Sequence, residues 1–293
     1  MINNKELIAA PVTIFTSSNH INDDAMEQLF SKLLMEGADG FFVGGSVGEC
    51  FLLSTTERLH LFELSSRYLD KATIYAHVGT FSTDLAIEMI KAARAYGISE
   101  IASVPPFYFS FSTREIAGYF YNLAEAAEKP VLYYDIPSST HIELNIDDPE
   151  IRALLKSGAI GAIKHTNLLS DRAKAIKDLN PDIRIMGGYE SCMIKLLENN
   201  CDGFIGSTFN FMLPQYKRVI ELYYSENKEM LYKCFKNCTD VLDVLLELGL
   251  PASIKYILSK QGIEAGEVRR PLLPLNEESK RLLDQIIITK LSY

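Results

Sequence analysis

The chain reads as a closed (β/α)8 TIM barrel with a C-terminal helical extension. Two observations carry this reading: eight short β-rich runs whose starts lie 20–33 residues apart, and amphipathic helical segments filling the gaps between them. A third observation is that strand signals stop after about residue 222 while helical periodicity continues. Strands alternating with helices through short connections imply a parallel sheet covered by helices. Eight such units within 293 residues suit a closed barrel. An open doubly wound sheet is the alternative, but it usually has fewer strands, and no GxGxxG is present to mark one.

The runs are APVTIFT (10–16), GFFVGGS (40–46), TIYAHVG (73–79), EIASVPP (100–106), PVLYYDIP (130–137), AIGAIKHT (159–166), IRIMGG (183–188) and GFIGST (203–208). The stretch GAIGAIKHT, over the sixth run, is small and apolar, as expected of a strand buried on both faces. DDAMEQLFSKLLMEGA opens with an acidic turn and places Met26, Leu29, Phe30, Leu33 and Leu34 on one helical face. STTERLHLFELSSRYL begins with Ser54 and has Glu57 three residues later, a capping-box pattern. STDLAIEMIKAARAYG ends on glycine, a common helix stop. Beyond the barrel, SENKEMLYKCFKNCTDVLDVLLELG, PASIKYILSKQG and NEESKRLLDQIIITKL read as helices. The expected division is a barrel over 1–222 carrying the active site and an extension over 223–293.

Hydrophobic residues make up 47% and charged residues 23%, enough apolar material for a substantial core. A formal net charge of −9, with no basic tract, argues against nucleic acid as a partner. The five cysteines are odd in number and form no CxxC pair; Cys234 and Cys238, four apart, share a helix face. Reduced thiols and a cytoplasmic location are expected. The N-terminal MINNKELIAAPVTIFT has no basic region ahead of a long apolar run, and no stretch reaches 18 apolar residues, so neither export nor membrane association is expected.

In such a barrel, catalytic groups stand at the C-terminal ends of the strands. Those ends carry Thr16, Gly44 to Glu49, Tyr108, Tyr134, Lys164, Thr166, Gly187 to Glu190 and Ser207. The set is rich in hydroxyls and glycines and holds no His/carboxylate cluster with metal-ligand spacing, so no metal or other cofactor is expected. His77 and His165 lack a partner pattern and read as structural. Cys50, beside Glu49, reads as packing. Lys164 is the only lysine among these ends, terminating the small, apolar GAIGAIKHT. An amine at the lip of an apolar interior loses solvation, which favours its neutral, nucleophilic form. Such an amine can add to a ketone as a Schiff base, an electron sink for carbon–carbon cleavage. A snorkelling or ion-paired lysine is the bland alternative. Tyr134 would face the same mouth with a phenol able to move protons. GGSVGE (44–49) supplies backbone N–H groups suited to a carboxylate.

With these residues in place, the chain resembles the dihydrodipicolinate synthase / N-acetylneuraminate lyase family of class I aldolases, on its N-acetylneuraminate lyase side. PVTIFT, GGSVGECFLLSTTER, HVGTFST, VPPFYFSFS, YYDIP, GAIKHT, GFIGSTFN and RRPLLPL carry the likeness along nearly the whole chain. The resemblance implies Lys164 as the Schiff-base lysine and Tyr134 as the proton shuttle. Ser46 would hydrogen-bond that tyrosine, and Tyr108 would complete the relay from a neighbouring subunit of a homotetramer. The turn at Ser46 and Val47 would hold the keto acid's carboxylate, and Thr166, Gly188, Glu190, Ser191 and Ser207 would line the rest of the pocket. The implied reaction cleaves N-acetylneuraminate to N-acetylmannosamine and pyruvate. Two departures bear on the substrate. Val47 stands where the family usually has a second hydroxyl, and Glu190-Ser191 stands where sialic acid lyases typically show Asp-Glu. They point to the alternative of a different 2-keto-3-deoxy sugar acid. A dihydrodipicolinate synthase would usually carry an arginine after its tyrosine motif, whereas YYDIPSST offers Ser139. A keto-acid-binding barrel without activity is the remaining alternative.

Overall fold

The computed structural model describes residues 5–167, 170–225 and 227–291, so the leader reading at Met1–Asn4 falls outside the described residues. The first half comprises β1 (Glu6–Ala9), α1 (Asp23–Met35), β2 (Gly40–Val43), α2 (Thr55–Ser66), β3 (Thr73–His77), α3 (Thr83–Ala95), β4 (Glu100–Ser103) and α4 (Thr113–Ala127). The second half continues with β5 (Val131–Asp135), α5 (Pro137–Thr140), α6 (Pro149–Lys156), β6 (Ile160–His165), α7 (Ser170–Leu179), β7 (Arg184–Gly187), α8 (Met193–Glu198), β8 (Gly203–Gly206) and α9 (Phe209–Tyr224). After it come α10 (Lys228–Leu248), α11 (Leu250–Lys260) and α12 (Glu277–Ile286).

The strands pair in chain order, all parallel, and β8 closes on β1 to give the eight-stranded barrel that the alternation of runs predicts. Seven of the runs overlap the strands; the first does not. The strand is Glu6–Ala9, not 10–16, with Leu7 opposite Phe204 and Ile8 opposite Ile205 and Gly40. Ala10 N–H still reaches Gly206 O at 2.9 Å, and then Pro11 has no N–H to continue the ladder. PVTIFT instead runs over the barrel's end. There Val12 N–H donates to Asn210 Oδ1 at 3.2 Å, Thr13 Oγ1 donates to Gly48 O at 2.6 Å, and Phe15 bridges Ile21. The segment is as buried as a strand, which is why its composition imitates one.

Local chemistry sets the helix starts. Ser54 and Glu57 form the capping box read from the sequence, and Ser112 with Glu115 makes a second on α4. Met26, Leu29, Phe30 and Leu33 of α1 are buried against the barrel, with Leu34 partly buried beside them. The core is continuous from the barrel into Val241, Leu242, Leu245, Ile254 and Ile257 of the C-terminal helices. Helix α10 packs on α9, on α11 and on the 3-10 turn Glu190–Cys192 at the mouth. At the opposite end of the barrel, Arg184 pairs with Glu6 and lies 3.4 Å from Tyr75 Oη. No described helix is long and apolar enough to cross a membrane.

Candidate active site

The position of Lys164 depends on one extra residue in β6. Val131 pairs with Ile160, but Leu132 pairs with Ala162, so Gly161 bulges out of register. A side chain there would strike the Pro130 ring, with a Cβ 2.8 Å from Pro130 Cβ. Beyond the bulge Tyr134 pairs with Lys164 and Asp135 with His165. Without it, Tyr134 would face Ile163 and Lys164 would fall beside Asp135, because a one-residue slip exchanges the two faces of a strand. The bulge thus puts amine and phenol on the same inner face.

Lys164 is only 4% exposed. Its Nζ stands 4.0 Å from the centre of the Tyr134 ring and 4.4 Å from that of Phe42. These two rings meet edge to face at 5.4 Å, and no described carboxylate pairs with the amine. Held by aromatic faces rather than by a counter-ion, the amine keeps its nitrogen available to a ligand. Ser46 Oγ lies 3.3 Å from Tyr134 Oη.

The turn bearing Ser46 is fastened from below. His77, fully buried and 5.8 Å from the Tyr134 ring, bonds through Nδ1 to Gly44 O at 2.7 Å, while its Nε2 accepts from Val104 N–H at 3.3 Å. With Nε2 as acceptor, Nδ1 must carry the proton. Burial, then the charge of Arg58, holds its pKa well below the usual imidazole range, so His77 is a neutral staple between β2, β3 and β4. Arg58 is itself buried and donates to the backbone carbonyls of His77 and Gly79 at 2.5 and 2.9 Å. Burial pushes the Cys50 thiol up to about 11, so it is protonated at neutral pH.

A cavity of about 270 Å³ opens above Lys164. Ser46, Val47, Tyr134, Lys164, Thr166, Gly188, Glu190 and Ser207 all line it. Thr166 Oγ1 is buried without a hydrogen-bond partner among the described residues. Gly188 fits only as glycine: a Cβ there would overlap Thr166 Oγ1 and lie 3.0 and 3.1 Å from Lys164 Cγ and Cε. Glu190 is 5% exposed, and its Oε1 accepts from Ser207 N–H and Oγ (2.7 and 2.9 Å) and Thr208 N–H and Oγ1 (2.9 and 3.0 Å). That oxygen is committed to the start of α9. Three sequence expectations lie away from the cavity. Ser191 is turned aside, its Oγ buried and unpartnered among the described residues. Tyr108 is 73% exposed and packs on Phe81 and Phe109 at the surface. Thr16 lines an outer cleft, because β1 ends seven residues before it and brings Ala10 to the cavity instead.

Sequence reasoning missed Leu242, Leu246, Leu250 and Pro251, which α10 and α11 bring to the cavity. Spaced as a helical stripe, they read only as core. It also missed a tie between the GGSVGE turn and the extension. Glu49, at φ +59°, is buried with Lys255; Oε1 accepts from Lys255 Nζ at 2.6 Å and Oε2 from Arg269 N–H at 2.7 Å. Residues 206 apart give no local signal. Among the described residues no group of three or more His, Cys, Asp or Glu side chains could hold a metal ion.

A family model described as the dihydrodipicolinate synthetase family matches residues 3–290. CdNal from Clostridium difficile, solved in complex with mannosamine, superposes with a TM-score of 0.92 at 27% identity, covering 98% of this chain and 99% of that one. N-acetylneuraminate lyase from Mycoplasma synoviae gives 0.88 at 25% identity, covering 98% of both chains. A dihydrodipicolinate synthase from Bacillus anthracis, at 23% identity and 0.92 over 99% of both chains, shares the fold.

Proposed function

We infer the chemistry from a premise that the family match establishes: the chain belongs to the dihydrodipicolinate synthetase family and is a lyase of the class I aldolase kind. The reading is a Schiff-base aldolase that cleaves N-acetylneuraminate to N-acetylmannosamine and pyruvate. The observation that carries it is Lys164 Nζ, buried against Tyr134, lining the cavity and with no carboxylate partner among the described residues.

Lys164 Nζ adds to the substrate's C2 carbonyl and water leaves, giving a protonated imine. Tyr134, supported by Ser46, takes the proton of the C4 hydroxyl as the C3–C4 bond breaks. The bonding pair passes into the imine as an enamine, and the aldehyde departs. Protonation of C3 and addition of water release pyruvate and free the amine. Backbone N–H groups of the Ser46–Val47 turn are suited to the carboxylate, because Val47 has no hydroxyl to offer. Thr166 Oγ1 and the side chain of Ser207 face the remainder of the substrate.

Incubation with pyruvate and borohydride, followed by mass analysis of the peptide holding Lys164, tests this directly. The expected result is a reduced pyruvate adduct on Lys164, absent from Lys164→Ala. A folded protein that gives none, or a Lys164→Ala variant that still turns over, refutes it. Val47 and Ser191 favour a second reading, in which the same chemistry acts on another 2-keto-3-deoxy sugar acid; a panel of sugar acids assayed for pyruvate release separates the two. Among the described residues no arginine lines the cavity, which speaks against a substrate with a second carboxylate.

The exposed aromatics Phe81, Tyr108 and Phe109 offer the face on which a neighbouring copy would dock, supporting a homotetramer to be checked by analytical ultracentrifugation. Residues 223–293 are best regarded as an extension that completes the barrel's mouth. A cytoplasmic location fits the five unpaired cysteines.

A further inference from the structure

Tyr134 and Lys164 face the barrel interior, so the residues that follow them, Asp135 and His165, turn outward toward the helices. They end β5 and β6, stand opposite one another in the ladder, and have fully buried side chains. His165 Nδ1 lies 3.0 Å from Asp135 Oδ2. A carboxylate oxygen accepts, so Nδ1 donates. The second oxygen, Asp135 Oδ1, is buried with no hydrogen-bond partner among the described residues. A carboxylate enclosed with one oxygen unsatisfied costs stability, and fixing a register is the best-attested use of such a buried polar group.

A register is what this part of the barrel has to fix. With the bulge at Gly161, Tyr134 meets Lys164 and Asp135 meets His165. Without it, Asp135 would meet Lys164, and His165 would stand opposite Ile136. Only the observed register brings the outward side chains of Asp135 and His165 together. The same two residues reach the cavity through their main chains. Asp135 O accepts from Thr166 N–H at 2.9 Å, and His165 O accepts from Gly188 N–H at 2.8 Å. Tyr134, Lys164, Thr166 and Gly188, which all line the cavity, are therefore next to the pair in the chain or bonded to it. Neither side chain of the pair lines the cavity itself.

We propose that Asp135 and His165 are positioning residues for the reaction: their bond, on the face of the sheet away from the cavity, locks the register that holds Lys164 Nζ 4.0 Å from the centre of the Tyr134 ring. This rests on the aldolase reading above and goes beyond it, since it concerns residues that touch no substrate.

The test compares Asp135→Leu, Asp135→Asn and the double variant Asp135→Leu/His165→Leu with the parent. Borohydride trapping with pyruvate counts the Lys164 sites able to form an adduct, and kcat for pyruvate release, from the sugar acid the parent cleaves best, is divided by that count. Loss of folded protein alone leaves the quotient unchanged. Asp135→Leu should lower it by about 10–10²-fold, the cost of misplacing reacting groups by about 1 Å. Asp135→Asn, whose amide oxygen still accepts from Nδ1–H, should stay within about threefold of the parent. The double variant leaves neither polar group unpaired, so its melting temperature should return toward the parental value while the quotient stays at least about tenfold down. Should Asp135→Leu fail to fold, the double variant decides by itself. A quotient within about threefold of the parent in the leucine variants, or Asp135→Asn as impaired as Asp135→Leu, overturns the lock and leaves the aldolase reading standing. A folded parent that forms no adduct refutes the aldolase reading, and the lock with it.

Discussion

Gly188→Ala is the sharpest test of how the reactive amine is held. The added methyl carbon would overlap Thr166 Oγ1 and stand 3.0 Å from Cγ and 3.1 Å from Cε of Lys164. Ordinary carbon contacts are about 3.5–4.0 Å, so the lysine arm must retreat by roughly 0.5–1 Å. Thr166 cannot absorb the strain alone, because a β-branched side chain has few rotamers. Overpacking of this kind costs about 1–3 kcal/mol, and a displacement near 1 Å at a reacting group costs rate by about 10²-fold. The variant should therefore show kcat for pyruvate release down by about 10²-fold and correspondingly slow borohydride trapping. Its melting temperature should fall by only about 2–4 °C per kcal/mol. Gly187→Ala is the control for mere destabilisation. Its Cβ would meet Phe204 and Leu196 on the helix-facing side of β7, at 2.6 and 2.7 Å, so stability should suffer there through the core. A Gly188→Ala enzyme that traps pyruvate at the parental rate would refute the argument that this glycine clears space for Lys164.

Tyr134→Phe should lower kcat by about 10²–10⁴-fold with adduct formation easier to detect than turnover, since the proton carrier is removed and the amine kept. Ser46→Ala, losing one hydrogen bond of 3.3 Å, should cost no more than about tenfold; steady-state kinetics distinguish the two. Lys255→Met strands the Glu49 carboxylate in the interior and should destabilise by about 3–5 kcal/mol in denaturant titration, whereas Glu49→Leu combined with Lys255→Met should recover most of that. His77 supplies a pH signature. Its folded pKa lies well below 6.5, so below pH 6.5 the unfolded chain binds a proton that the folded chain refuses. Its contribution is complete above the unfolded value and is lost as pH falls, at up to about 1.4 kcal/mol per pH unit. Unfolding free energies measured from pH 7 to 5 should decline less steeply in His77→Gln than in the parent.

The architecture was legible because the barrel strands are β-rich runs recurring every 20–33 residues between amphipathic segments, and because caps such as Ser54–Glu57 are local. The first strand was misplaced for the same reason: burial, not pairing, sets the composition of PVTIFT, and only the missing N–H of Pro11 distinguishes it from a ladder. Lys164 and Tyr134 stood out because a lysine is anomalous in GAIGAIKHT. Their side-by-side arrangement did not, since it depends on a bulge at Gly161, where only glycine clears the ring of Pro130 just ahead of β5. The Glu49–Lys255 pair and the leucines of α10 that line the cavity were beyond reach of pattern reading. The pair joins positions 206 apart, and the leucines are indistinguishable from a core stripe until α10 is seen to cross the mouth.

The residues proposed for bond breaking constrain one another physically. Gly161 sets the phase of Lys164, the register sets Tyr134 beside it, and Gly188 leaves the space its arm occupies. Altering one of them disturbs the others, because the barrel interior is close-packed. The Ser46–Val47 turn proposed to hold the carboxylate lies on the loop after β2. The departure at Val47 therefore weighs on how the carboxylate common to 2-keto acids is held, beside Ser46 and Lys164, whereas Ser191 does not line the cavity.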